Sequence, residues 1–205
     1  MSVLEICQLQ AKPNISPNDP SVLKSLVEVR SSLRSQVTNT NSQFYQCIED
    51  PTLIYILGVW PTISAHHAFL DSPEKSEILL PQEDLLDFNW VIHMPLPSME
   101  SLPLDAHVMS IARFVFRGGE NHAEYQKRMD KHRHNIVEAA QPQKMVDGWR
   151  CDAEPGTQEA LVFTGWKSKQ AHEDFTAKAL DDPEYVSVRD LCDGREVRHV
   201  RNMET

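Results

Sequence analysis

The chain has 205 residues, 40% hydrophobic and 24% charged, and its 20 Lys and Arg against 30 Asp and Glu leave a net charge of −10. That balance argues against a nucleic-acid or anionic-membrane surface, since both need clustered Lys and Arg to neutralise phosphate. Cys7, Cys47, Cys151 and Cys192 form no C-x2-C pair of the zinc or redox kind, and no apolar run nears the roughly 20 residues of a membrane helix.

Residues 1–10 lack the basic-then-apolar pattern of a signal peptide, so a cytoplasmic protein with reduced thiols is expected. In chain order, Val3 to Gln10 reads as a strand, and Asp19-Pro20 as a helix cap with proline in the first turn. The helix runs from about Ser21 to Val37, with Val22, Leu26, Val29 and Leu33 on one face. Phe44 to Ile48 and Leu53 to Trp60 are strands, Ser64 or a neighbour caps a second helix, and Phe88 to Met94 is the fourth strand. Residues 97–105, with Pro97 and Pro103, read as a linker.

The plan then repeats. His107 to Phe116 is a strand, Gly118-Gly119 a turn, and Asn121 to Ala139 a helix with Tyr125, Met129, His132 and Ile136 on one face. Lys144 to Cys151 and Ala160 to Trp166 are strands, Ala171 to about Leu191 a helix, and Glu196 to Val200 the closing strand. Specific residues recur as well. Trp60, Ala65, His66 and Phe69 fit W-x4-A-H-x2-F, and so do Trp166, Ala171, His172 and Phe175, 106 residues later. Asp84-Leu85-Leu86-Asp87 recurs as Asp190-Leu191-Cys192-Asp193, and Val91-x-His93 as Val197-x-His199, in the same register. Ordered matches at one spacing argue for an internal duplication.

The expected fold is α+β: two βαββαβ ferredoxin-like repeats, residues 1–96 and 106–205. A sheet covered by helices on one face leaves the other bare, so the two sheets are expected to pack on each other. The same register would set Gln8 and Gln10 of the first strand opposite Phe114 and Phe116 in the second repeat, an exchange of polar for aromatic residues.

In the strand that ends in Trp and leads to W-x4-A-H-x2-F, and in the four-stranded plan around it, the chain resembles the dimeric α/β-barrel superfamily. Within it the resemblance is to the antibiotic-biosynthesis-monooxygenase (ABM) proteins of fungi that fuse two ferredoxin-like units in one chain. The resemblance implies an intrachain dimeric α/β barrel, monomeric or homodimeric, with Trp60 and Trp166 facing a cavity between the sheets. By alternation Ile54, Ile56 and Gly58, and Ala160, Val162 and Thr164, share the side of those Trp residues. The implied functions are cofactor-free tailoring of aromatic or polyketide-like molecules in secondary metabolism, by monooxygenase or cyclase chemistry. A ligand-binding or assembly protein with the same fold but no catalysis is the alternative. Plant-type cyclases carry a catalytic His beside a Pro where this chain has Ser72-Pro73-Glu74 and Asp182-Pro183-Glu184, and the haem-degrading branch has a ligand His near Lys75 to Glu77, where none stands.

Among residues able to do chemistry, His93 and His199 end the fourth strands, where an imidazole of near-neutral pKa suits proton transfer; a hydrogen-bonded structural histidine is the other reading. His66 and His172 open helices, whose N-termini disfavour imidazolium, and read as neutral packing groups. Tyr55, Arg113 and Gln8 are polar residues on central strands that could bind a phenol or carboxylate, Arg113 alternatively pairing with Glu5 or another acid. Three histidines at ligand spacing on one element are absent, so no metal is expected, nor a cofactor, since no phosphate-cradling glycine loop or dinucleotide fingerprint is present. The expected partner is a hydrophobic aromatic small molecule.

Overall fold

A computed structural model describes residues 1–117 and 121–205, without the side chains of residues 184, 186, 187 and 189. The turn expected at Gly118-Gly119 lies outside the described residues. The chain divides into two units, Met1–Met99 with Val200–Thr205, and Glu100–His199.

The first unit runs β1 (Val3–Ala11), α1 (Pro20–Gln36), β2 (Asn41–Cys47), β3 (Leu53–Trp60), α2 (Ile63–Leu70), α3 (Lys75–Glu83) and β4 (Leu86–Pro95). Its strands are antiparallel in the order β4-β1-β3-β2. Asp19 caps α1 by accepting from Ser21 N, and Pro20 opens the helix, where its missing N–H costs nothing. The cap of α2 is Thr62, whose side chain accepts from Ala65 N, not Ser64.

Alternation along the strands sets two faces. Cys7, Leu9, Ala11 and Ile54 pack with Val22 and Leu26 of α1. Val3 and Trp60 pack with Val29 of α1, Phe69 of α2 and Ile78 of α3. Leu4, Ile6, Gln8, Tyr55 and Leu57 alternate to the opposite face and are also buried.

The second unit contains β5 (Val108–Arg117), α4 (Asn121–Ala140), β6 (Met145–Trp149), β7 (Thr157–Trp166), α5 (Lys169–Ala179), α6 (Pro183–Leu191) and β8 (Gly194–Asn202) up to His199. Its strand order is β8-β5-β7-β6. The helix expected to run unbroken from 171 to 191 is two helices, because proline's ring disfavours helical backbone in the residue before it, here Asp182 ahead of Pro183. The break at Ser72-Pro73 between α2 and α3 has the same cause.

Two sequence expectations are corrected by the strand pairing. Residues 200–205, expected to close the second repeat, belong to the first unit. There Val200 and Asn202 pair with Cys47 and Tyr45 of β2, and Glu204 takes both guanidinium nitrogens of Arg30 at 2.7 Å. The first strands are also related by 105 residues rather than 106, since Val3 pairs with Trp60 and Val108 with Trp166. Gln8 therefore corresponds to Arg113, Leu9 to Phe114, and Glu5 to Ser110. The polar-for-aromatic exchange does not exist, because a one-residue slip moves every side chain to the other face.

Among the described residues, no helix is long and apolar enough to cross a membrane.

Candidate functional site

The motif W-x4-A-H-x2-F builds the same local structure twice. In each unit a strand ends in Trp, and two residues later a hydroxyl, Thr62 or Ser168, caps the next helix through the N–H of Ala65 or Ala171. The cap fixes the helix start, so the following histidine lies flat on the indole. His66 stacks on Trp60 at 4.4 Å and 22°, and His172 on Trp166 at 4.6 Å and 15°. Phe69 and Phe175, one helical turn on, cover the indoles at 5.8 and 5.6 Å. Among the four residues between Trp and Ala, the hydroxyl residues Thr62 and Ser168 stand at matching places and signal the cap.

Each stacked histidine meets the strand histidine. His66 Nδ1 is 2.7 Å from His93 Nε2, and His172 Nδ1 is 2.8 Å from His199 Nε2, so each pair shares one proton in a hydrogen bond, buried in the first unit and partly buried in the second. His66, His93 and His199 are 3%, 1% and 6% exposed. In such a pair, a proton gained by one ring is stabilised by the other ring.

The two pairs face different surroundings. In the first unit Trp60 Nε1 donates to Glu5 Oε2, and the same carboxylate oxygen is 3.9 Å from His66 Nε2. In the second unit Trp166 Nε1 donates to Ser110 Oγ at 2.9 Å, and the carboxylate is gone. Opposite these residues stand Gly58 and Thr164. The long acid is thus matched with glycine and the short alcohol with threonine.

Each unit holds a cavity between its sheet and its helices. The first, of about 310 Å³, is lined by Glu5, Ile56, Trp60 and His66 with Leu26 and Leu79. The second, of about 560 Å³, is lined by Phe114, Val162, Thr164, Trp166, His172 and His199. Both fall in the range of small-molecule sites, and both are mainly apolar with a few polar groups. The expectation that Trp60 and Trp166 face a space between the sheets is corrected: both indoles lie under their own unit's helices, since Trp60 packs with Val29, Phe69 and Ile78, and Trp166 with Ile136 and Ala140.

Of the residues singled out from sequence, Trp60, Ile56, Trp166, Val162, Thr164, Phe114 and His199 line these cavities. His93 stands behind His66 rather than at the wall of the first cavity. Ile54 is buried in the apolar cluster under α1. Gln8 and Tyr55 are on the opposite face of the sheet, where Gln8 Nε2 donates to Tyr55 Oη at 2.7 Å and Asn89 Nδ2 donates to Gln8 Oε1 at 3.0 Å. Arg113 faces away from the second cavity and pairs with Glu159 at 2.5 Å, not with Glu5; Arg150 holds the other Glu159 oxygen at 3.2 Å. These polar residues satisfy one another, as burial demands.

Glu5, Ser110, His66, His172, His132 and Tyr125 belong to the cavities although sequence reading assigned none of them to a site. Among the described residues, no group of three or more His, Cys, Asp or Glu could hold a metal ion.

No family model and no curated protein sequence matches the chain. Solved structures do. An anthrone oxidase-like protein superposes with a TM-score of 0.68 at 13% identity, covering 98% of this chain and 91% of its own. A Lactobacillus acidophilus protein provisionally named a monooxygenase gives 0.60 at 12%, covering 98% and 93%. A chlorite dismutase variant from Candidatus Nitrospira defluvii gives 0.59 at 10%, covering 97% and 91%. At such identities the likeness shows the fold alone, an antiparallel α+β fold that the chain shares with these structures.

Proposed function

We propose that the chain is a small-molecule tailoring enzyme, a cofactor-independent monooxygenase or cyclase acting on an aromatic or polyketide-like substrate. The observation that carries this reading is the histidine pair stacked on a tryptophan at an apolar cavity, present in both units. The names of two fold neighbours, an anthrone oxidase-like protein and a provisional monooxygenase, agree with it. We take the two units as ferredoxin-like repeats of one ancestral ABM-type unit, fused in one chain. The W-x4-A-H-x2-F repeat and the matching strand orders support that reading.

In this mechanism the apolar cavity orients a flat phenol or enol and keeps water out. His172 or His66 accepts the acidic proton, and His199 or His93 stabilises the imidazolium through the shared hydrogen bond. The resulting carbanion or phenolate is electron-rich. In the oxygenase case it reduces dioxygen: an activated methylene becomes a carbonyl, one oxygen atom enters the product, and the other leaves as water with the two substrate hydrogens. In the cyclase case the same anion attacks a carbonyl of its own chain and no oxidant is consumed.

Incubation with anthrones and other activated phenols, with and without oxygen, separates the cases. Oxygen-dependent formation of a quinone supports the oxygenase, and oxygen-independent loss of water the cyclase. Ligand-induced stabilisation with no turnover of any substrate would establish a non-catalytic ligand-binding protein, the second reading.

A further inference from the structure

The two cavities are unequal, and equivalent positions beside them carry different residues. Where Phe44 stands opposite Ile56 in the first unit, Asp147 stands opposite Val162 in the second. Phe44 is buried among Leu9, Val22, Leu26 and Leu86, which closes that end of the first unit with hydrocarbon. Asp147 instead makes a bidentate ion pair with Arg133. The second cavity is the larger of the two, at about 560 Å³ against 310 Å³.

At one end of the second cavity stands Tyr125 of α4, whose ring packs on Phe114 and Phe116 at 5.4 and 5.0 Å. It is 2% exposed and lines the second cavity, and its hydroxyl has no hydrogen-bond partner among the described residues. A buried hydroxyl left unpaired is costly, and burial also pushes this phenol well above its usual range, so it stays a protonated donor. At the other end are Trp166, His172 and His199, with Ser110 bonded to the indole. Ser110 and Phe114 mark the two ends on β5 and are four residues apart, roughly 13 Å at about 3.3 Å per residue.

We propose that the second unit holds the working cavity, and that Tyr125 Oη donates to an oxygen acceptor at the end of the ligand remote from His172 and His199. The ligand is a flat, mainly apolar molecule on the order of 10 Å long, by that strand spacing. It carries a carbonyl or phenolic oxygen at one end and an acidic hydrogen at the other. The assignment rests on the reading of the histidine pair as a proton acceptor, and adds which copy works and what the far end of the substrate must offer.

The test uses two probes: anthraflavic acid, a three-ring dihydroxyquinone with a phenol at each end, and 2-naphthol, which has one phenol and is too short to span the cavity. Binding of each to wild type and Tyr125→Phe is measured by titration calorimetry, beside the melting temperature of the ligand-free proteins. Loss of one hydrogen bond at the far end should weaken anthraflavic acid about tenfold. It should leave 2-naphthol unchanged, and the ligand-free variant should melt no lower than wild type, because it loses no protein partner. Equal affinity of both proteins for anthraflavic acid, or a lower melting temperature for Tyr125→Phe, overturns the proposal. Binding of 2-naphthol without anthraflavic acid overturns it while leaving the histidine-pair reading intact. Failure of wild type to bind either probe removes both.

Discussion

Gly58 faces Glu5 across the β1–β3 ladder, and a methyl group at Gly58 would stand 3.3 Å from the Glu5 carboxylate. The second unit has Thr164 and Ser110 in these places. Gly58→Thr is expected to push Glu5 off Trp60 Nε1 and destabilise the protein by about 1–3 kcal/mol, the cost of an unpaired buried N–H. The double variant Gly58→Thr with Glu5→Ser installs the pair found in the second unit and should recover most of the loss in urea denaturation. Additive losses would show that the two sites are uncoupled.

A methyl group at Gly165 meets harder neighbours. It would stand 2.8 Å from the Cβ atoms of Ala106, Gln143 and Pro103, which cannot swing aside as the Glu5 carboxylate can. Gly165→Ala should therefore cost about 1–3 kcal/mol through backbone displacement. Gly58→Ala should cost less in the same assay.

The caps of α2 and α5 should be worth similar amounts. Thr62→Ala and Ser168→Ala each remove a side-chain acceptor from a helix N-terminus and are expected to cost about 1 kcal/mol. Each cap positions the histidine that stacks on Trp, so a substrate titration of the Ser168→Ala variant should also show a raised KM. An unchanged KM would separate the cap from the site.

His93 and His199 should not be equivalent. His199 lines the second cavity, whereas His93 reaches the first only through His66. His199→Ala is expected to lower kcat for an activated phenol about tenfold or more, the range of a lost proton-transfer role. His93→Ala should act on stability instead. Equal and negligible effects on turnover would make both histidines structural.

Cysteine reactivity follows burial. The Cys7 thiol is pushed well above its usual range, chiefly by burial and then by the nearby Glu5 carboxylate, while Cys151 is exposed and its thiol is raised from the usual value. A raised pKa means less thiolate at any pH below it, and the thiolate is what reacts. At about pH 8, iodoacetamide should label Cys151 first and Cys7 last, as read by peptide mass. Early labelling of Cys7, which lines the first cavity, would mean that this cavity opens to solvent.

Local signals in the sequence carried far. Val22, Leu26 and Val29 do bury one face of α1, and Leu53 to Trp60 is a strand with the predicted ends. Asp19 does cap α1. Boundaries that depend on proline were legible in principle, since Pro73 precedes a second short helix and Pro183 opens one, after the polar run Asp181-Asp182. Tyr125 and His132 were legible as residues of an apolar helix face, yet nothing local marks one of them as carrying an unpaired hydroxyl.

Periodicity and the 106-residue repeat were enough to determine two similar sets of elements and the pairing of Trp with the following histidine helix, because these depend on contacts within a few residues. The direction in which Trp60 and Trp166 look, the meeting of His66 with His93 and of His172 with His199, and the 105-residue offset of the first strands were decided only in three dimensions. Each joins segments 27 or more residues apart, or depends on a register. One residue more or less between strands leaves every apolar pattern intact while exchanging the two faces of a sheet, so only the ladder of backbone hydrogen bonds shows that Glu5, and not Ile6, stands beside Trp60.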